Sequence, residues 1–174
     1  MNDVRLVLFD RDGTLTYEQM GRHASLEALS PYPFAGPLLK ALEAAGRRLA
    51  VVTNQSGIGR GVWQRSDVDA LHERFCAEWG VSPAFYLCPH APTEGCSCRK
   101  PEPGLLLQAL EEHELSPRRS LMVGDSLTDA GAADSAGIPF ALVLTGRGRV
   151  TREKLSAPPA FVLETVADLH GMLA

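Results

Sequence analysis

The chain has 174 residues, 45% of them hydrophobic, with a formal net charge of −4 and four cysteines. This length suits one domain, residues 1–174, with a core of ordinary size. The acidic balance provides no field for nucleic acid, and no run of about 18 apolar residues is present to span a membrane. The first strand begins almost at once, without a charged n-region or an h-region. No signal peptide is therefore expected, and the expected setting is the cytoplasm; the sequence does not give the oligomeric state, for which a monomer is the favoured expectation.

Residues 4–9 form an apolar run that reads as a buried strand of a parallel sheet. It stops at Asp10-Arg11-Asp12-Gly13-Thr14. Two carboxylates two residues apart at the end of a buried strand repel one another and lose hydration, so a cation or a proton must relieve them. Gly13 lets the backbone turn and approach a ligand closely. A plain strand-ending turn is the alternative. The functional reading is a nucleophilic carboxylate beside an acid/base carboxylate with Mg²⁺ between them. Residues 16–33 carry Gly21, Pro31 and Pro33 without a sustained period and read as a mobile loop at the mouth of a site. Its Tyr17, Glu18, Arg22 and His23 are polar enough to touch a substrate or simply to be solvated.

Leu38, Leu39, Leu42 and Ala45 make a helical stripe over 34–46, with Pro37 early and Gly46 as the stop. A short strand over 49–52 runs into Thr53-Asn54-Gln55-Ser56-Gly57-Ile58-Gly59-Arg60-Gly61. Hydroxyls, amides and glycines past a strand can form a nest of N–H groups for phosphate, although no Walker Gly-Lys-Ser/Thr follows. Ser66 is expected to cap a helix over 67–79 with Asp69 as the acidic partner, and Cys76 on it to be a buried packing residue. A third strand is expected over 84–87.

Cys88-Pro89-His90 and Cys96-Ser97-Cys98 follow, three cysteines and a histidine within eleven positions. Too few cysteines are present for a disulfide scaffold, and this spacing reads as a metal loop. Three thiolates and one imidazole suit a closed tetrahedral Zn²⁺ site of structural type, with a disulfide or buried free thiols as alternatives. Arg99-Lys100-Pro101 comes directly after. A helix over 105–113, a strand over 121–123 ending in Gly124-Asp125-Ser126, and a helix over 130–136 closed by Gly137 come next. A fifth strand over 139–144, a loop over 150–159 and a closing helix over 164–173 complete the chain.

Strands alternating with helices predict an α/β fold: a doubly wound, mainly parallel, Rossmann-like sheet with helices on both faces. Right-handed crossovers gather Asp10, Asp12, Thr53, Lys100 and Asp125 at the C-terminal edge, where such sheets bind ligands. Singly, Thr53 could cap, Lys100 could be a surface lysine and Asp125 a helix N-cap. Together, carboxylates, a lysine and a hydroxyl suit Mg²⁺ and a phosphoryl group.

Asp10-Arg11-Asp12-Gly13-Thr14, Thr53-Asn54-Gln55-Ser56, Lys100-Pro101 and Gly124-Asp125 resemble the four motifs of the haloacid dehalogenase-like phosphatases, over roughly residues 4–148. The Cys-x-His and Cys-x-Cys-Arg-Lys-Pro pairing resembles the zinc-containing branch, which holds heptose 1,7-bisphosphate and histidinol-phosphate phosphatases. The resemblance implies that Asp10 attacks phosphorus and that Asp12 serves as acid and then base. It implies that Thr53 and Lys100 hold the phosphoryl oxygens, and that Asp10, the Asp12 carbonyl and Asp125 bind Mg²⁺. Asn54, Gln55, Ser56, Arg99 and Ser126 match substrate-contacting positions. Arg99 could instead fix the metal loop, 88–100, through a salt bridge.

Neither usual insertion point holds a cap domain. After Gly13-Thr14 the chain reads Leu15-Thr16-Tyr17-Glu18-Gln19, where the heptose enzymes usually have an Asn and an acidic residue. Ser126 stands where they often have lysine, which leaves fewer cations for a second phosphate. The implied substrate is a small phosphomonoester, with a heptose 1,7-bisphosphate cleaved at C7 first and histidinol phosphate or another sugar phosphate as the alternative. A phospho-accepting signalling module is the non-enzymatic reading. Asp12 argues against it by supplying an acid/base that a long-lived phospho-switch lacks.

Overall fold

The computed structural model describes residues 3–18 and 25–173. Its strands are β1 (Leu6–Phe9), β2 (Arg48–Asn54), β3 (Ala84–Cys88), β4 (Ser120–Gly124), β5 (Phe140–Val143) and β6 (Phe161–Leu163). They form a 6-stranded sheet in the order β3-β2-β1-β4-β5-β6, and every neighbouring pair is parallel.

Side chains alternate between the two faces of each strand, and both faces are covered. Val7, Phe9, Val51 and Val123 pack with Leu39 of α1 (Ala35–Ala44), with Phe75 and Trp79 of α3 (Arg65–Trp79), and with Leu169 near the C-terminus. Leu6, Leu8, Val52 and Met122 pack with Leu106 of α4 (Gly104–Glu112) and with Ala132 and Ala133 of α5 (Leu127–Ala136). This two-sided burial explains the unbroken apolar run of β1. Each fully buried Val, Leu, Phe or Met contributes about 1.5–3 kcal/mol.

The chain steps from β1 outward to β2 and β3, then crosses back to β4 on the other side of β1. The connections leaving β1 and β4 therefore diverge, and a crevice opens at the C-terminal ends of these two strands. Asp10 and Asp125 directly follow β1 and β4, and the Asp10 N–H donates to the Val123 carbonyl at 2.8 Å. Among the described residues no second sheet or large cap covers this edge, and no helix is long and apolar enough to cross a membrane.

Several local expectations are corrected. The cap of α3 is Gln64, not Ser66: its N–H donates to Asp67 at 2.7 Å, while Asp69 instead accepts from Arg65 one turn away at 2.8 Å. Thr53 and Asn54 belong to β2, and the glycine-rich stretch begins with the short helix α2 (Ser56–Gly59). The expected loop over 150–159 opens as helix α6 (Gly148–Lys154). The expected closing helix is preceded by β6 and consists of a 3₁₀ turn (Val166–Leu169) and the short helix α7 (His170–Leu173). Cys76 is half-buried, not buried. Arg22, His23, Gly21 and Gln19 lie outside the described residues. The flanks of that loop are tied down: Tyr17 N–H donates to Ser30 at 3.0 Å and Tyr32 N–H to Leu15 at 2.9 Å.

Candidate active site and metal centre

Lys100 is the hub of the crevice. Its ammonium is buried and donates to Asp10 Oδ1 at 2.7 Å, to the Val52 carbonyl at 2.7 Å and to Asp129 Oδ1 at 2.6 Å. Its backbone is pinned as well. Asn54 Nδ2 donates to the Lys100 carbonyl at 3.0 Å, and the Lys100 N–H donates to Asn54 Oδ1 at 3.1 Å. The end of β2 thus holds the lysine at both ends, which gives Asn54 a positioning role that its motif did not reveal.

Asp12 is held differently. Arg11, itself 2% exposed, forks onto it with Nε to Oδ1 at 3.0 Å and Nη2 to Oδ2 at 2.9 Å. Gln55 Nε2 adds a bond to Oδ2 at 3.1 Å, and Thr16 Oγ1 one to Oδ1 at 3.2 Å. Burial alone would raise the Asp12 carboxyl, but the Arg11 guanidinium and these donors outweigh it and hold the group below the usual range. Behind Arg11, its Nη1 lies 3.2 Å from His72 Nε2. Burial, then the Arg11 charge, push His72 down to about 3. The ring is therefore neutral, and Nε2 is the acceptor.

The cavity at this crevice is about 220 Å³ and is lined by Asp10, Asp12, Thr53, Asn54, Arg99, Lys100, Asp125 and Ser126. Gln55 and Ser56 line a neighbouring cavity of about 270 Å³, which shares Asp12, Glu18 and Asn54 with the first. Gln55 also donates to Thr53 Oγ1 at 2.8 Å. Arg99 donates to the His90 carbonyl at 3.3 Å and makes no salt bridge among the described residues. Ser126, not Asp125, caps α5, with its hydroxyl 2.6 Å from Asp129 Oδ2.

Asp129 is a site residue outside the motifs that the sequence displays. It is fully buried, and its carboxylate lies within 4.8 Å of those of Asp10 and Asp125. The available signal was its place as third residue of a helix opened by Ser126, where an acidic side chain reaches back to the cap. Arg11 was missed as well, because nothing in its position between two aspartates announces burial.

Three crowded carboxylates face one ammonium. Burial and the charge of Asp129 push Asp10 well above the usual range even against Lys100. Burial pushes Asp125 up to about 7, against an N–H bond from Arg147. Such excess negative charge in an all-oxygen donor set fits a hard divalent cation. The backbone makes room for it: Gly13 has φ +84°, and a Cβ there would come within 2.3 Å of Asp125 Oδ2.

In the metal loop, Cys88 Sγ lies 3.5 Å from His90 Nδ1 and 3.7 Å from Cys96 Sγ. Cys98 Sγ lies 3.3 Å from His90 Nδ1 and 3.5 Å from Cys96 Sγ. A tetrahedron with metal–sulfur bonds of about 2.3 Å has sulfur–sulfur edges of about 3.8 Å, close to the observed separations, so the four ligand atoms fit one soft metal ion. Burial and the neighbouring thiols push Cys98 up to about 12, the cost of crowding thiols without a counter-charge.

Comparison with known proteins agrees with this geometry. The HAD-hydrolase-like family model matches residues 97–169. The D-glycero-beta-D-manno-heptose-1,7-bisphosphate 7-phosphatase of Pseudomonas putida is 38% identical over 170 residues, spanning 95% of this chain and 97% of that one. The enzyme of the same name from Pseudomonas aeruginosa is 37% identical, spanning 97% of each chain. The crystal structure of D,D-heptose 1,7-bisphosphate phosphatase from B. bronchiseptica, complexed with magnesium and phosphate, superposes with a TM-score of 0.92 at 31% identity over 98% of each chain.

Proposed function

The chain belongs to the haloacid dehalogenase-like phosphatases and is a phosphoric monoester hydrolase, and on that premise we propose that it removes the C7 phosphate of D-glycero-β-D-manno-heptose 1,7-bisphosphate through an aspartyl-phosphate on Asp10. The observation that carries this reading is the 2.7 Å contact between Asp10 and the doubly pinned Lys100, in a cavity also lined by Asp12, Thr53 and Asp125. Histidinol phosphate is the runner-up substrate. The chain acts as one domain, as a monomer in the cytoplasm.

Lys100 engages Asp10 Oδ1, which leaves Oδ2 to attack phosphorus. The P–O bond to the sugar breaks, and Asp12 delivers a proton to the departing oxygen. A substrate entering as the phosphate monoanion brings the proton that the ionised Asp12 requires. Water then attacks the phosphorus of the aspartyl-phosphate, Asp12 takes its proton, and Asp10 is released with inorganic phosphate. The low-set carboxyl of Asp12 gives up its proton readily in the first half. Thr53 donates to a phosphoryl oxygen, Lys100, whose three N–H groups are engaged by Asp10, Val52 and Asp129, offsets the charge gathered there, and Arg99 and Ser126 line the same cavity. Asp10, the Asp12 carbonyl and Asp125 would hold Mg²⁺, which supplies charge neutralisation between nucleophile and phosphate.

Cys88, His90, Cys96 and Cys98 would hold Zn²⁺ in a structural role. Cys98 is two residues before Lys100, so a metal held there would fix the path of the chain that carries the lysine. The test is phosphate release across a panel of heptose 1,7-bisphosphates, histidinol phosphate and common sugar phosphates. The β-anomer of the heptose is expected to give the highest kcat/KM, and a tenfold advantage for histidinol phosphate would reassign the substrate.

A further inference from the structure

In-line attack by Asp10 drives the leaving oxygen away from that residue and toward its proton donor, Asp12. Two spaces adjoin the phosphoryl cavity. One is the cavity of about 270 Å³, whose wall includes Asp12. The other is a broader groove of about 820 Å³ along Tyr17, Tyr32, Val150 and Lys154, and Asp12 does not line it. The leaving group therefore enters the first, which lies near the lower end of the range for small-ligand sites, about 300–1,000 Å³.

That cavity contains one guanidinium without a partner. Arg11 is committed to Asp12 and His72. Arg60 makes no side-chain hydrogen bond or ion pair among the described residues. It stands on a turn closed by its own backbone: Arg60 N–H donates to Ser56 at 3.1 Å, Gly61 N–H to Ile58 at 2.9 Å and Val62 N–H to Gly57 at 2.8 Å. Gly59 N–H ties the turn to Pro89 in the metal loop at 2.8 Å. The Trp63 ring forms the adjoining wall, so close to Gly57 that a Cβ there would come within 2.3 Å of its Cε3 atom. Glu18, the other carboxylate of the cavity besides Asp12, is engaged by Arg147 at 2.5 Å. An anion entering here thus meets Arg60 as its available cation.

We propose that this cavity is the subsite for the leaving-group half of a bisphosphorylated sugar, with Arg60 binding the non-reacting phosphate and Trp63 packing against the sugar ring. The inference rests on the phosphatase reading above and adds the residue that makes the enzyme prefer a bisphosphate. A guanidinium on an exposed phosphate at the rim contributes to binding and not to the bond-breaking step, so its loss acts on KM.

The experiment compares wild type, Arg60→Ala, Arg60→Lys and Lys154→Ala on the heptose 1,7-bisphosphate and on the same heptose carrying only the 7-phosphate. Arg60→Ala is expected to raise KM for the bisphosphate about tenfold or more, with kcat within about twofold, and to leave KM for the monophosphate unchanged. Arg60→Lys should restore part of the loss, and Lys154→Ala should match wild type on both substrates. Equal effects of Arg60→Ala on the two substrates, a loss confined to Lys154→Ala, or a wild type indifferent to the second phosphate would each overturn the subsite while leaving the phosphatase standing. A wild type that cleaves p-nitrophenyl phosphate but neither heptose would overturn both the subsite and the heptose assignment.

Discussion

Replacing Asn54 with alanine separates a positioning role from a substrate contact. The side chain makes two hydrogen bonds, at 3.0 and 3.1 Å, to the carbonyl and N–H of Lys100. Each contributes about 0.5–1.5 kcal/mol net, so their joint loss costs about 2 kcal/mol. For a chain of this size that lowers Tm by roughly 4–8 °C. The larger effect falls on chemistry. Lys100 reaches Asp10 from a backbone anchored by this clamp, and a displacement on the order of 1 Å in a catalytic group costs about 10²-fold in rate. The expectation is a drop in kcat of about that size with KM for substrate within about threefold, read by steady-state phosphate release beside a thermal melt. An Asn54→Ala enzyme with wild-type Tm and kcat but a much higher KM would refute the clamp and return Asn54 to the substrate.

Cys96→Ser should lose zinc by elemental analysis and lower activity, although it leaves Asp10 and Asp125 intact; wild type with less than about 0.2 zinc per chain would remove the structural role. Stripping Mg²⁺ with EDTA should abolish phosphate release, and Mg²⁺ alone should restore it where zinc analysis shows the metal loop still filled. His72 supplies a pH dependence of stability. Its folded pKa, about 3, lies below the ordinary 6.5, so between these values the unfolded chain binds a proton that the native one refuses. Stability from this group is complete above about pH 6.5 and falls as pH drops toward 3, with a slope of up to about 1.4 kcal/mol per pH unit. His72→Phe should flatten that part of the pH–stability curve in denaturant titrations, and an unchanged slope would mean that the ring is protonated in the fold.

The residues legible in the sequence are those that sit at strand ends. Asp10, Thr53 and Asp125 lie at or just past the ends of apolar runs, and a parallel sheet brings such ends to one edge whatever the helices between them do. The metal loop was legible because its four ligands fall in one short segment. Less visible were groups that act through a neighbour. Arg11 shows its role only once the turn after β1 folds its guanidinium back onto Asp12, and Asn54 only once Lys100, 46 positions on, lies against it. Asp129 lies in the first turn of a helix that starts at Leu127, three residues ahead of the point where the sequence pattern shows it, at 130. β6 has three residues, of which Leu163 alone is buried, too few for an alternation to register. α6 is polar and carries two basic residues in its last turn, so its helicity leaves little apolar periodicity to read.

The central claim is that Asp10 carries the phosphoryl group between the two half-reactions. Acid quenching during turnover, borohydride reduction of the acyl phosphate and peptide mapping test it directly, in wild type and in Asp12→Asn, both supplied with p-nitrophenyl phosphate, whose leaving group needs no proton, so that loss of the base prolongs the intermediate. The account predicts homoserine at position 10, more of it in Asp12→Asn, and none in unreacted enzyme. Homoserine at another aspartate, or steady phosphate release with position 10 never modified in either protein, would contradict it.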